Sequence, residues 1–170
     1  MTRIVHTRPG GPTHLLDDLV QTVLVSELLA PSERLWLVSP WVSDIPVVDN
    51  ASGSFTDLTP GAAARWLRLS EILVQLSELG TTVTVVTRTG EQHNAPFLTA
   101  VRLAGDAIRT IEDPDLHTKA LATDRFSLTG SMNFTRRGRG ENLERVMLGT
   151  DPDGVARDLA EFTHRFGGAT

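Results

Sequence analysis

The run Thr81-Thr-Val-Thr-Val-Val-Thr87 consists of β-branched residues and constrains the fold more than any other stretch of the chain. Such side chains are stiff at χ1 and pack well on a pleated surface. With no charged residue on either alternating face, the run predicts a strand covered on both sides. Strands of that kind belong to parallel sheets with helices packed above and below.

The flanking sequence fits that frame. Thr13 to Ala30 places Leu15, Leu16, Leu19, Val23, Leu24 and Leu28 at helical spacing, and Pro31 stops the helix. Arg34 to Ser39 predicts a strand, ended by Pro40. Residues 41–60 read as a loop rich in Asp, Ser and Asn, and a long loop after a strand is more often functional than idle. Ala62 to Leu79 predicts a second helix, stopped by Gly80. Asn94 to Ala104 predicts a third, with Asn94 as its cap. Ala107 to Ile111 predicts a short strand. His117–Ala122 and Phe126–Thr129 predict a hairpin turning at Thr123-Asp124-Arg125. Asn142 to Leu148 predicts a last strand, and Pro152 to Phe166 a C-terminal helix with Val155, Leu159, Phe162 and Phe166 on one side. Together these predict an α/β chain with a mixed sheet flanked by helices on both faces.

The bulk numbers narrow the function. The 170 residues suit one domain spanning 1–170. Cysteine is absent, which excludes disulfides, thiolate metal sites and cysteine nucleophiles, and fits a cytoplasmic setting. There is no apolar run of about 18 residues and no secretory leader pattern, so no membrane association is expected. The net charge of −5 disfavours a general DNA-coating role. Any grip on nucleic acid must come from a local basic patch.

The segment His117-Thr-Lys119-Ala-Leu-Ala-Thr-Asp124-Arg-Phe-Ser-Leu-Thr-Gly130-Ser131-Met-Asn133 carries the chemistry. On a strand, residues two apart share a face, which predicts His117 and Lys119 side by side with Cα atoms roughly 6.6 Å apart. Two neighbouring cationic groups repel each other unless both face an anion. A hairpin returns Gly130, Ser131 and Asn133 to the start of the first strand, adding a hydroxyl and an amide. A helical turn starting near Asn133 would add free N–H groups. Taken one at a time, each of these residues has an ordinary structural explanation: Asp124 suits a turn, and Gly130-Ser131 is a common turn pair. In this order and spacing they converge on a phosphate-sized site that calls for no metal and no cofactor.

The pattern H-x-K-x4-D followed by G-S-x-N resembles the HKD motif of the phospholipase D superfamily. His117, Lys119 and Asp124 match its first part, and Gly130, Ser131 and Asn133 its second, with five residues between Asp124 and Gly130. Asn142-Leu-Glu144 matches the family's downstream acidic strand. The resemblance implies one phospholipase D-like domain per chain and a phosphodiesterase that works through a covalent phosphohistidine on His117. It implies that Glu144 holds the other ring N–H and that Lys119, Ser131 and Asn133 bind the non-bridging oxygens. Asp124 and Gly130 take structural roles in the hairpin.

The reaction needs a second histidine as general acid and base. His6, His14, His93 and His164 lack a lysine two residues on, so the resemblance implies a homodimer that shares one site across its axis. Small single-motif members of the family are often nucleases. Arg136, Arg137 and Arg139 follow Asn133 directly and Arg88 ends a strand, which predicts a basic patch for a nucleic-acid backbone, with Trp41 as a further contact. The small size leaves sequence specificity to a partner protein. The character of residues 39–50 is similar to that of phospholipase D-like proteins of bacterial phage-defence and DNA-modification clusters. Two other readings stand beside the nuclease. One is a lipid or small-molecule phosphodiesterase or phosphatidyl transferase. The other is a catalytically silent binding subunit of a defence complex.

Overall fold

The computed structural model describes residues 1–6, 14–59, 61, 64–103, 107–135 and 144–167. In chain order its elements are β1 (Thr2–His6), α1 (His14–Leu29), β2 (Arg34–Val38), β3 (Pro46–Asp49), β4 (Trp66–Arg68), α2 (Leu69–Glu78), β5 (Thr82–Thr87), α3 (Ala95–Arg102), β6 (Ile108–Glu112), β7 (Ala120–Thr123), β8 (Ser127–Gly130), β9 (Arg145–Gly149) and α4 (Pro152–Phe166). A seven-stranded mixed sheet runs in the order β1-β9-β8-β7-β2-β5-β6. The β-branched run lies inside it, parallel to β2 on one side and β6 on the other. From β7 to β1 every pairing is antiparallel.

Period-two alternation divides the core into two layers. Leu35, Leu37, Val83, Val85, Leu121 and Leu128 face the side covered by α1, α2 and α3. Trp36, Val38, Val86, Ala120 and Ala122 face the other side, where α4 lies with Val155, Leu159, Phe162 and Phe166. Trp36 anchors this second layer, with its ring centroid 6.1 Å from Phe162 and 6.3 Å from Phe166.

Several expected elements fall elsewhere. The helix predicted over Ala62–Leu79 starts only at Leu69, because Trp66–Arg68 pairs with Pro46–Asp49 as a separate two-stranded sheet. Tertiary partners set that boundary. Glu71 accepts from the Arg68 backbone N–H at 2.7 Å and pairs with Arg65, while Asp44 accepts from the Ser70 N–H at 3.0 Å. Trp66 is therefore a strand residue, and residues 41–60 contain β3 besides loop. Asn94 precedes α3 without capping it, since its side chain binds the Val42 N–H at 2.8 Å and the Pro40 carbonyl at 2.9 Å. The strand predicted from His117 begins at Ala120, opposite Val38, the last paired residue of β2. The last strand is Arg145–Gly149; Asn142 and Leu143 lie outside the described residues. β1 had no sequence signature, since only Val5 of its residues is buried.

Asp124 sits in the turn between β7 and β8 and binds Arg34 three ways. It accepts from the Arg34 backbone N–H at 2.9 Å, from Nε at 3.1 Å and from Nη2 at 2.7 Å. That clamp fastens the hairpin to the start of β2.

At the other end of the hairpin Gly130 has φ +157°, and a Cβ there would stand 2.1 Å from the Arg145 carbonyl oxygen. Gly130→Ala is therefore expected to destabilise the fold by about 2–3 kcal/mol through backbone displacement. Urea unfolding of the variant beside the parent chain measures it; an unchanged midpoint would contradict the close approach.

Candidate active site

Topology gathers the predicted residues at one edge of the sheet. The parallel strands β2 and β5 finish at Val38 and Thr87, so Ser39, Trp41 and Arg88 leave from this edge. β7 runs antiparallel to β2, so Lys119 and His117 enter at the same edge. β8 ends and β9 begins here too, which brings Ser131, Asn133 and Glu144 alongside. Open α/β sheets bind ligands just outside the carboxyl ends of their parallel strands, and the assembly sits there.

His117 is exposed, directly after the buried Leu116. The Arg88 Nη2 lies 3.1 Å from its Nε2 and 3.4 Å from its Nδ1. The same nitrogen donates to the Leu116 carbonyl at 2.8 Å, and the guanidinium carbon stands 5.3 Å from the centre of the Trp41 ring. The Lys119 ammonium donates to the carbonyl of His117 at 2.5 Å. The Lys119 carbonyl accepts from the Gly130 N–H at 3.3 Å, which ties the two halves of the motif together.

Ser131 donates its hydroxyl to Glu144, a carboxylate only 5% exposed, and its Oγ accepts from the Arg145 N–H at 3.0 Å. Among the described contacts, the ring nitrogens of His117 meet Arg88. The Asn133 Oδ1 lies 3.3 Å from the hydroxyl of Ser39, which also donates to the Trp41 carbonyl at 2.9 Å. Ser39 is fully buried and was not singled out from sequence, although its place directly after a strand and before Pro40-Trp41 is the signal that marks it. The expected helical turn at Asn133 is not seen up to Thr135. Instead Phe134 bridges to Val42 in parallel and accepts from the Ser43 N–H at 2.8 Å. Ser43 in turn lies 2.7 Å from the exposed His93.

His117, Lys119, Ser131, Asn133, Glu144, Arg88 and Trp41 therefore come together. Asp124 stands at the opposite end of β7, consistent with its part in the Arg34 clamp. Arg136, Arg137 and Arg139 lie outside the described residues. Partial burial holds the Lys119 ammonium below its ordinary pKa, the nearby Arg88 lowers it further, and Glu144 opposes both.

Several solved structures share this architecture. The chain superimposes on Nuc from Salmonella typhimurium, a phospholipase D family member, with a TM-score of 0.64 at 15% identity, covering 98% of this chain and 94% of that one. The chain has the same fold as that phospholipase D family member. NucT from Helicobacter pylori gives a TM-score of 0.62 at 9% identity over 96% of this chain and 94% of the other. Polyphosphate kinase from Porphyromonas gingivalis gives 0.66 at 15% identity over all of this chain but 26% of that enzyme. No protein-family model matches the sequence, and neither does any curated protein. Among the described residues no helix is long and apolar enough to cross a membrane.

The two neighbours of Lys119 act on it with opposite sign. Arg88→Met is expected to raise the Lys119 titration midpoint, and Glu144→Gln to lower it. Nitrogen-15 NMR of the Lys119 Nζ measures both shifts; movement in the same direction would contradict the arrangement.

Proposed function

We propose that the chain is a phosphodiesterase that hydrolyses nucleic-acid backbones through a covalent phosphohistidine on His117, working as a homodimer with one shared site. The observation that carries this reading is an exposed imidazole set between a guanidinium and a partly buried ammonium at the sheet edge. Cations crowded beside a nucleophile repel each other until an anion joins them, and a phosphodiester is the anion the motif fits.

In the first step a neutral nitrogen of His117 attacks phosphorus. An N–P bond forms, and the bond to the leaving oxygen breaks. That oxygen takes a proton from the imidazolium of His117 of the partner subunit. The same imidazole then takes a proton from water, the oxygen of that water attacks phosphorus, and the N–P bond breaks. Lys119 offsets charge on the non-bridging oxygens, a task that a metal ion performs in other phosphodiesterases. Glu144 orients Ser131, and Ser39 orients Asn133, so both polar groups reach the site already positioned.

Nucleic acid is favoured over lipid by the rim. The described contacts of His117 are the Arg88 guanidinium, which lies over Trp41, and the Lys119 ammonium on its carbonyl, a cationic setting and not an apolar one. Arg136, Arg137 and Arg139 would extend it with charge for flanking phosphates. Sequence specificity would come from a partner protein.

Two outcomes are expected. Degradation of plasmid or single-stranded DNA should proceed in EDTA and fall at least about a thousandfold in His117→Ala with the fold intact; release of lipid head groups instead would redirect the reading to a lipase. Mixing His117→Ala with an excess of the parent chain should lower activity per parent subunit, because mixed dimers hold one imidazole. Activity that tracks parent subunits linearly in a monomeric chain would overturn the shared site.

A further inference from the structure

Arg88 is a cation on the ring of His117 that the phospholipase D-like motif does not contain. It belongs to the loop after β5, far from the motif in sequence, yet it makes the closest approach to the ring of His117. Its stem is held and not free. Nε is buried without an acceptor, Nη2 is fixed on the Leu116 carbonyl, and the guanidinium carbon stands over the Trp41 ring. A buried guanidinium nitrogen without an acceptor is costly and calls for compensation. Among the described residues the Leu116 carbonyl is the one oxygen acceptor that the Arg88 guanidinium meets. Five donors in a rigid fork, with one oxygen between them, match the geometry of a tetrahedral oxyanion.

The neighbourhood has the charge for such a ligand. Arg88 and the Lys119 ammonium are close enough for each to feel the other, and the buried Glu144 is already occupied by the Ser131 hydroxyl. We propose that Arg88 is a catalytic residue of this site, which binds the non-bridging oxygens of the scissile phosphate together with Lys119 and supplies from the same chain a second permanent positive charge. This rests on the phosphodiesterase reading for the word catalytic, but the phosphate contact stands on the geometry alone. When a phosphate is bound, the guanidinium moves its free donors from the ring of His117 to oxygen, and the imidazole is released to attack. Trp41 then serves as the platform along which the guanidinium plane is kept.

Binding of inorganic phosphate to the full chain tests this without requiring turnover. Titration calorimetry at low salt would compare the parent with Arg88→Met, Arg88→Lys and, as a control for general charge, Arg102→Met on the exposed side of α3. The expected result is a Kd about 10- to 100-fold weaker in Arg88→Met. Arg88→Lys should be intermediate and Arg102→Met within twofold of the parent. If circular dichroism shows Arg88→Met unfolded, Arg88→Lys decides. Phosphate affinity unchanged in a folded Arg88 variant would overturn the proposal, and equal losses in Arg102→Met would reduce it to general charge. Hydrolysis of bis(4-nitrophenyl) phosphate separates the two claims. A parent chain that binds phosphate through Arg88 but cleaves nothing removes the catalytic reading and leaves the contact standing. Turnover that depends on His117 but not on Arg88 leaves the phosphodiesterase reading standing and overturns the catalytic role of Arg88.

Discussion

Strand β2 is hydrogen-bonded on one side to the parallel β5 and on the other to the antiparallel β7, and the candidate site depends on that double pairing. Val38 lies opposite both Val86 and Ala120. A strand slipped by one residue would exchange every face, sending Leu35 and Leu37 to the α4 side and Trp36 and Val38 to the other. The same slip would separate Arg88 from His117. Register is therefore fixed by burial on both faces, and the meeting of a guanidinium with an imidazole follows from the packing of apolar residues two to five positions away. The Asp124–Arg34 clamp fixes the far end of this arrangement, and the close approach of Gly130 to Arg145 fixes the near one.

The electrostatics of the edge are set by what burial allows. Glu144 is almost wholly buried and survives there because Ser131 donates to it. Lys119 is partly desolvated and sits beside Arg88, so its charge is costly. Polar side chains already aligned by Glu144 and Ser39 lose little freedom when a substrate arrives, and aligned dipoles in a partly dry edge act more strongly than they would in water.

The helix and strand order of the second half was legible because its signals are local. The α4 helix has Pro152 in its first turn, an Asp151 cap and an apolar stripe, and its observed limits match those expected. The motif residues were legible because their types and spacing are rare together. Other features depend on partners distant in sequence. Asp44 holds the first turn of α2 from 26 residues away, and Asn94 is taken from its capping role by the Pro40–Val42 loop. β1 shows no pattern because it lies at the sheet edge with one buried side chain. The contact of Arg88 with His117 joins the ends of two strands that are not neighbours in the sheet, and no spacing rule within either segment encodes it.

In the proposed mechanism the imidazole of His117 becomes bonded to phosphorus. Rapid quenching of the chain during turnover of a phosphodiester, at a pH that preserves phosphoramidates, followed by peptide mass spectrometry, tests it directly. The account predicts a phosphorus-bearing adduct on the peptide containing His117, labile to acid and stable to base. Steady turnover with no adduct there, or with an acid-stable adduct on Ser131, would contradict it.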